Sequence, residues 1–171
     1  MPINNKWDHI LEKIYDGANA ALAARLHRWR FQNRTIVFTN GCFDILHPGH
    51  IHTLATAASF GDRLLVAVNS DSSVRQLKGS GRPVHQEKDR MLVLASLGFV
   101  DAVVPFGEDT PLNLITFVQP DVLVKGGDYK ASDVVGADIV QSKGGQVEIV
   151  PFLQGHSTTG ILERISSEHQ P

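Results

Sequence analysis

The chain of 171 residues carries a formal charge of −2 and a single cysteine. It is long enough for one domain with a sizeable core, has no global basic field to hold nucleic acid, and can form no internal disulfide. Its start is polar, without a secretory-type apolar stretch, and its longest apolar run, Met91–Val100, is too short to span a bilayer; the expectation is a cytoplasmic protein that binds neither membrane nor nucleic acid.

Trp7, Ile10, Leu11, Ile14 and Tyr15 recur at helical spacing, with Gly17 as a candidate interruption, and Leu22, Leu26 and Trp29 continue an apolar stripe. Residues 1–33 therefore read as a helical extension suited to packing or an oligomer contact, and residues 34–171 as the main domain. Short β-branched runs at 35–40, 63–69, 101–106, 121–126 and 146–151 predict strands. Their continuously apolar centres point to burial on both faces, as in a parallel sheet. Helices are predicted between them at about 48–60, 87–97, 111–118 and 131–143, with a last one at about 159–166. This alternation predicts an α/β fold: a Rossmann-like, doubly wound, mostly parallel five-stranded sheet with an N-terminal helical extension. Ligands of such sheets bind beyond the carboxyl ends of the strands. That rule directs attention to the loops at 40–50, 69–84, 125–133 and 152–159.

The first of these loops reads TNGCFDILHPGH, residues 39–50. Asn40 and Gly41 end the strand, and Gly41 lets a ligand approach the backbone closely. Pro48 suits the first helical position, which places His47 at the helix entrance and His50 three residues on, with Gly49 leaving space between them for a phosphate. A helix start offers free N–H groups and about half a positive charge, so the ensemble reads as a polyphosphate site. Two other readings stand beside it. The histidines could be structural, or, with His52, they could bind a metal, although no carboxylate or cysteine cluster has ligand spacing. At the other end of the chain, Ser157 or Thr158 can cap the last helix while its amides bind phosphate. Lys125 emerges at the end of a buried strand, and Gly126 and Gly127 allow a flat base against the backbone. Asp128 is a ligand contact or a turn cap. The Gly-rich segment with Lys78 and Arg82 suits a sugar phosphate or is a solvated loop. Arg90 at a helix start opposes the helix dipole, and a bound anion would give it a reason. Cys42 reads as a small packed residue whose backbone meets the ligand rather than as a nucleophile.

GCFDILHPGH, followed about a hundred residues later by HSTTGILERI, resembles the two signatures of the HxGH nucleotidyltransferase superfamily, which includes glycerol-3-phosphate cytidylyltransferase. The stretches VNSDSSVRQLKGSGRPVHQEKDRMLVL, DAVVPFGEDTPLNLI and PDVLVKGGDYK narrow the resemblance to heptose 1-phosphate adenylyltransferases. These occur as stand-alone enzymes and as a domain of bifunctional ADP-heptose synthases. The resemblance covers residues 34–165. It implies transfer of AMP from ATP to D-glycero-D-manno-heptose 1-phosphate, with Mg²⁺ arriving on ATP, no protein metal site, and a homodimer in lipopolysaccharide-core or related glycan synthesis. A separate heptose kinase is expected. The resemblance also implies roles: His47, His50 and Lys125 catalytic; Asn40, Gly41, Cys42, Phe43, Gly49, Arg90, Gly126, Gly127, Asp128, Ser157, Thr158 and Thr159 on the nucleotide; Asp44, Lys78 and Arg82 on the acceptor, Asp44 alternatively holding the histidine loop. Cytidylyltransferase relatives carry an arginine a few residues before the Ser-Thr-Thr element, where this chain reads FLQGH; that departure disfavours cytidylyl transfer to glycerol 3-phosphate, the enzymatic alternative. A nucleotide-binding regulatory module is the non-enzymatic alternative. No role is assigned to His52, His85 or His156.

Overall fold

The structure is a computed structural model and describes residues 5–168. Five strands, β1 (Ile36–Gly41), β2 (Arg63–Asn69), β3 (Ala102–Phe106), β4 (Val122–Gly126) and β5 (Gln146–Val150), form one sheet in the order β3-β2-β1-β4-β5. Every pairing is parallel. The strand order reverses between β1 and β4, so the switch point where ligands bind in such sheets lies at the ends of these two strands.

Eight helices connect and flank the strands: α1 (Lys6–Leu11), α2 (Ala20–Phe31), α3 (Pro48–Ala58), α4 (Asp71–Lys78), α5 (Glu87–Ser96), α6 (Leu112–Val118), α7 (Ala137–Ser142) and α8 (Thr158–Glu168). Both sheet faces are covered, which is why the strands read as apolar runs rather than as alternations. On one face Leu22, Leu26 and Trp29 of α2 pack with Ile36, Phe38, Leu65 and Leu123. On the other, Leu54 of α3 and Met91 and Leu94 of α5 pack with Val37, Val66 and Val124. Three aspartates tie strand starts to the turns that lead into neighbouring strands: the amides of Thr35, Ile36 and Leu64 donate to Asp62, Asp121 and Asp101.

The structure departs from the sequence expectation in three elements. The stripe ending at Ile14 and Tyr15 is helical only to Leu11. Ile14 instead bridges Val103 in parallel, and the Tyr15 N–H donates to Val103 O at 2.9 Å while the Val103 N–H donates to Lys13 O at 2.8 Å. The edge strand β3 has unpaired backbone groups, and this segment satisfies them. The predicted helix at 131–143 is a 3₁₀ turn, Ala131–Asp133, followed by α7, because Gly136 takes φ +84° between them. Finally, α4 lies within the stretch expected to be a loop. Its sequence, DSSVRQLK, buries only Ser73 and Val74, too few to show a helical period. No helix of the described residues is long and apolar enough to cross a membrane.

Trp29, 4% exposed, makes α2 part of the main core. Trp29→Ala is expected to cost about 3–5 kcal/mol. Urea unfolding should show one transition moved to lower denaturant; an unshifted transition would mean that the extension folds apart from the sheet.

Candidate active site

The chain leaves β1 through a strained turn. Phe43 and Ile45 both take positive φ, 49° and 54°, at a cost of about 1 kcal/mol or more each for residues with side chains. The turn delivers His47 as the N-cap of α3, where its Nδ1 accepts the Gly49 N–H at 3.1 Å. That bond assigns the proton of the neutral ring to Nε2. The His50 ring stacks on His47 with centroids 3.8 Å apart and an interplanar angle of 25°, and Phe43 meets His50 edge-on at 5.5 Å. Burial, and next the adjoining His47, push His50 down to about 4, while burial and then His156 lower His47. Both rings are therefore neutral at neutral pH. Nδ1 of His50 is buried without a hydrogen-bond partner, an energetic cost that calls for an explanation.

The start of α8 faces this helix. A Cβ on Gly49 would stand 3.3 Å from the His156 carbonyl oxygen and 2.9 Å from the His47 ring. The absent side chain thus makes room for the imidazole and for the approach of α8, not simply for a ligand. Thr158 Oγ1 donates to Asp44 O at 2.8 Å. Ser157 caps the helix by accepting the Gly160 N–H at 3.0 Å, and the amides of Thr158 and Thr159 have no intrahelical acceptor. Two helix N-termini, each with partial positive charge, thus converge on one cleft. Lys125 enters from the adjacent end of β4. Its Nζ lies 3.5 Å from Asn40 Oδ1, and burial lowers its pKa.

Two buried ion pairs hold the neighbouring loops. Asp44, 1% exposed, accepts from Arg82 Nε at 2.6 Å, from the Val84 amide at 2.9 Å and from the His85 amide at 3.0 Å. Burial pushes its carboxyl up, but those two amides and Arg82 outweigh burial and hold it below the usual carboxylate range. Arg90, 2% exposed, donates to Cys42 O at 2.6 Å, to His85 O at 3.0 Å and to Asp71 at 2.7 Å.

A family described as Cytidylyltransferase-like matches residues 38–168. The chain belongs to the cytidylyltransferase-like family. It is accordingly a nucleotidyltransferase. It is 60% identical over 137 residues to the bifunctional protein HldE of Koribacter versatilis, covering 80% of this chain and 28% of that protein. With the bifunctional protein HldE of Pseudomonas syringae the identity is 57% over 145 residues, covering 85% and 30% respectively. The chain thus spans less than a third of the length of these relatives. Among solved structures it is similar to the lipopolysaccharide core biosynthesis protein from Thermoplasma volcanium, with a TM-score of 0.59 and 28% identity, covering 72% of this chain and 99% of that one.

The structure brings together Asn40, Gly41, Cys42, Phe43, His47, Gly49, His50, Lys125, Ser157 and Thr158 around the ends of β1 and β4, with Thr159 turned to a neighbouring cleft. Gly126 and Gly127 border that group. Asp128 is exposed and forms no hydrogen bond, so it caps no turn. Lys78, Arg82, Thr159, Leu162 and Glu163 line a neighbouring cleft of about 520 Å³. Two expectations are corrected. Arg90 does not face a ligand, because its guanidinium is enclosed and bonded to Cys42, His85 and Asp71. Asp44 has no free oxygen for an acceptor, because Arg82 and two amides occupy its carboxylate; of its two readings, the structural hold is the one the geometry fits. Asp71 escaped sequence reasoning because α4 did. Burial pushes the Cys42 thiol up, against the pull of the surrounding cations, which disfavours a nucleophilic thiolate. His52 is exposed, and among the described residues no three His, Cys, Asp or Glu side chains group to hold a metal. A larger cavity, about 810 Å³, lies apart from the site between the extension and α5, lined by Tyr15, Arg25, Lys88 and Met91.

Two outcomes follow from these geometries. Asp44→Ala strands Arg82 and two amides and is expected to cost about 3 kcal/mol; a denaturation midpoint within error of wild type would mean that the 82–85 segment does not depend on it. For His50, the ordinary value is 6.5 and the folded value about 4, so between these the unfolded chain holds a proton that the folded chain lacks. Stability then falls as pH drops through that window, by at most about 3 kcal/mol. Urea unfolding at pH 7.5 and 4.5 should show His50→Gln losing less stability than wild type, and equal losses would remove His50 from the acid limb.

Proposed function

We propose that the chain transfers AMP from ATP to D-glycero-D-manno-heptose 1-phosphate, giving ADP-heptose and pyrophosphate. The observation that carries this reading is the convergence of the stacked His47–His50 pair, Lys125 and the start of α8 at the switch point between β1 and β4. A phosphate oxygen of the sugar attacks the α-phosphorus of ATP in line, and the bond from that phosphorus to the bridging oxygen breaks as pyrophosphate leaves with its electron pair. The attacking oxygen is already anionic, so no strong base is required. The protein has to align the reactants and neutralise developing charge. Nε2 of His47 and the His50 ring donate to α- and β-phosphate oxygens, Lys125 balances charge, and the amides of Thr158 and Thr159 bind the leaving pyrophosphate at the helix start. Mg²⁺ enters with ATP as part of the substrate, bridging phosphate oxygens.

The choice of acceptor rests on the similarity to HldE proteins over most of this chain and on the resemblance of LVKGGDYK to heptose adenylyltransferases. The absence of an arginine in FLQGH, residues 152–156, supports ATP over CTP. Lys78 and the exposed part of Arg82 supply positive charge for the sugar phosphate in the neighbouring cleft that they line with Thr159 and Glu163 of α8.

Pyrophosphate release should be measured with ATP, CTP and GTP against heptose 1-phosphate and glycerol 3-phosphate. ATP with the heptose phosphate is expected to exceed every other pair, and His50→Ala to lower its turnover by about 10²–10³-fold with the fold retained. Preference for CTP with glycerol 3-phosphate would replace this reading with cytidylyl transfer. Nucleotide binding without turnover on any pair would replace it with a regulatory module.

A further inference from the structure

We propose that the cleft between the N-terminal extension and the start of β2 is a further anion site, one that takes a phosphate dianion, free or as the monoester of a small molecule. The cleft has a volume of about 370 Å³, and among its lining residues are Lys13, Arg25, Arg28 and Arg63 with Glu12 and Asp101. Four lining side chains are thus Lys or Arg and two are acidic, in a chain whose formal charge is −2. Arg63 opens β2 and Asp101 precedes β3, so the cleft lies at the amino ends of these strands. The histidine pair follows the carboxyl end of β1, at the opposite end of the parallel sheet, and the two sites share no residue.

The acidic groups do not use up this charge. Asp101 Oδ1 accepts from Arg63 Nη1 at 2.8 Å, and its Oδ2 accepts the Leu64 amide at 2.9 Å, so both oxygens are engaged. Glu12 is exposed, and its carboxylate lies 3.9 Å from His9 Nδ1 rather than against an arginine. Beyond Asp101, Arg63 has no acceptor among the described residues, and its Nε is buried without one. The Arg28 guanidinium has no partner among the described residues. Arg25 donates to the Tyr15 hydroxyl at 2.9 Å and to Glu12 O at 3.4 Å, and Lys13 Nζ donates to Leu97 O at 3.3 Å. These acceptors are neutral: they orient the cations without cancelling their charge. Burial lowers the pKa of Lys13, against the pull of Asp101.

Like charges three residues apart on one helix repel, and Arg25 and Arg28 stand so on α2, with Lys13 and Arg63 in the same cleft. The backbone cannot move to relieve them. Leu26 and Trp29 fix α2 in the core, and the bonds between Val103 and residues 13 and 15 fix the other wall. An anion relieves the repulsion instead. Guanidinium forks match the oxygens of phosphate, and the excess of two positive charges matches a dianion rather than a single carboxylate. The volume is at the small end of ligand pockets, which suits inorganic phosphate or a small monoester. Bound there, a phosphate bridges α2, Lys13 and the start of β2, and so clamps the extension to the sheet.

Amide hydrogen exchange of the full chain, read by mass spectrometry while inorganic phosphate or glycerol 3-phosphate is raised at constant ionic strength, reports the site by position. Phosphate is expected to slow exchange at residues 13–15 and 99–103 in wild type. Arg28→Gln is expected to raise the half-saturating concentration there about ten-fold, with Arg28→Lys between the two. Arg28 is exposed, so without phosphate the thermal midpoint of either variant should not fall, and any protection at residues 47–50 should be the same in all three proteins. The probe that half-saturates at the lower concentration identifies the ligand as free phosphate or as a monoester. Protection confined to residues 47–50, or none at all, would overturn the site. Equal half-saturation in wild type and Arg28→Gln would overturn it too. Equal protection by acetate at the same ionic strength would also overturn it, since the effect would then be screening alone.

Discussion

The site depends on one close approach, that of the start of α8 to the start of α3. Nothing in the parallel sheet alone requires it, since α8 follows β5 and α3 follows β1, with β4 between those strands. Three local features bring them together. Gly49 has no side chain to hold the His156 carbonyl away, Thr158 donates its hydroxyl to Asp44 O, and Ser157 absorbs the Gly160 amide so that the first turn is formed where the helix must begin. Two helix N-termini facing each other are unfavourable without an anion between them, because like partial charges converge. The specific hydrogen bonds offset that repulsion, and both helix starts turn their partial positive charge towards the cleft between them.

Asp44 and Arg90 hold this arrangement from behind. Buried charges carry a large desolvation cost and are tolerated only when their hydrogen-bonding capacity is filled. Asp44 is filled by one guanidinium nitrogen and two amides, and Arg90 by two carbonyls and Asp71. The two networks meet in the same short segment: Asp44 binds the His85 amide and Arg90 binds the His85 carbonyl. The loop that carries Arg82 is therefore fastened to the loop that carries the histidines, and the geometry of one cannot change freely without the other. This coupling explains the positive φ values of Phe43 and Ile45, since a strained turn persists only where its surroundings determine it.

The strand pattern was legible because burial on both faces gives runs such as RLLVAVN and DVLVKG their uninterrupted apolar centres. His47 and His50 were legible because a strand, a glycine turn and Pro48 mark a helix start. Other features lacked a local signal. The helix α4 buries two small side chains, so polarity hid it and hid Asp71 with it. Ile14 has helical spacing from Trp7, yet the unpaired edge of β3 claims it, which no window of sequence can reveal. Arg90 was noticed correctly as an oddity at a helix start, but its partner is not an anion from outside: Cys42 O, His85 O and Asp71 surround it through tertiary contacts.

The electrostatics of the histidine pair follow from this architecture. Two imidazolium rings stacked 3.8 Å apart between two helix starts would repel each other and the helix dipoles; burial keeps both neutral, helped at His50 by the adjoining His47 and at His47 by His156. Neutral His47 still donates from Nε2, and neutral His50 retains one N–H. The cost of this state is visible in His50 Nδ1, which is buried and unpartnered. On the proposed reading, a triphosphate entering the cleft supplies oxygen acceptors to the His47 Nε2 proton, neutralises the converging dipoles and favours protonation of the rings beside it. Substrate affinity is then linked to proton uptake, and the positive charge that the transition state needs is assembled only when the anion that justifies it is present. A permanently charged pair would bind phosphate as well, but it would strain the empty fold, whereas rings that gain charge only beside the ligand do not.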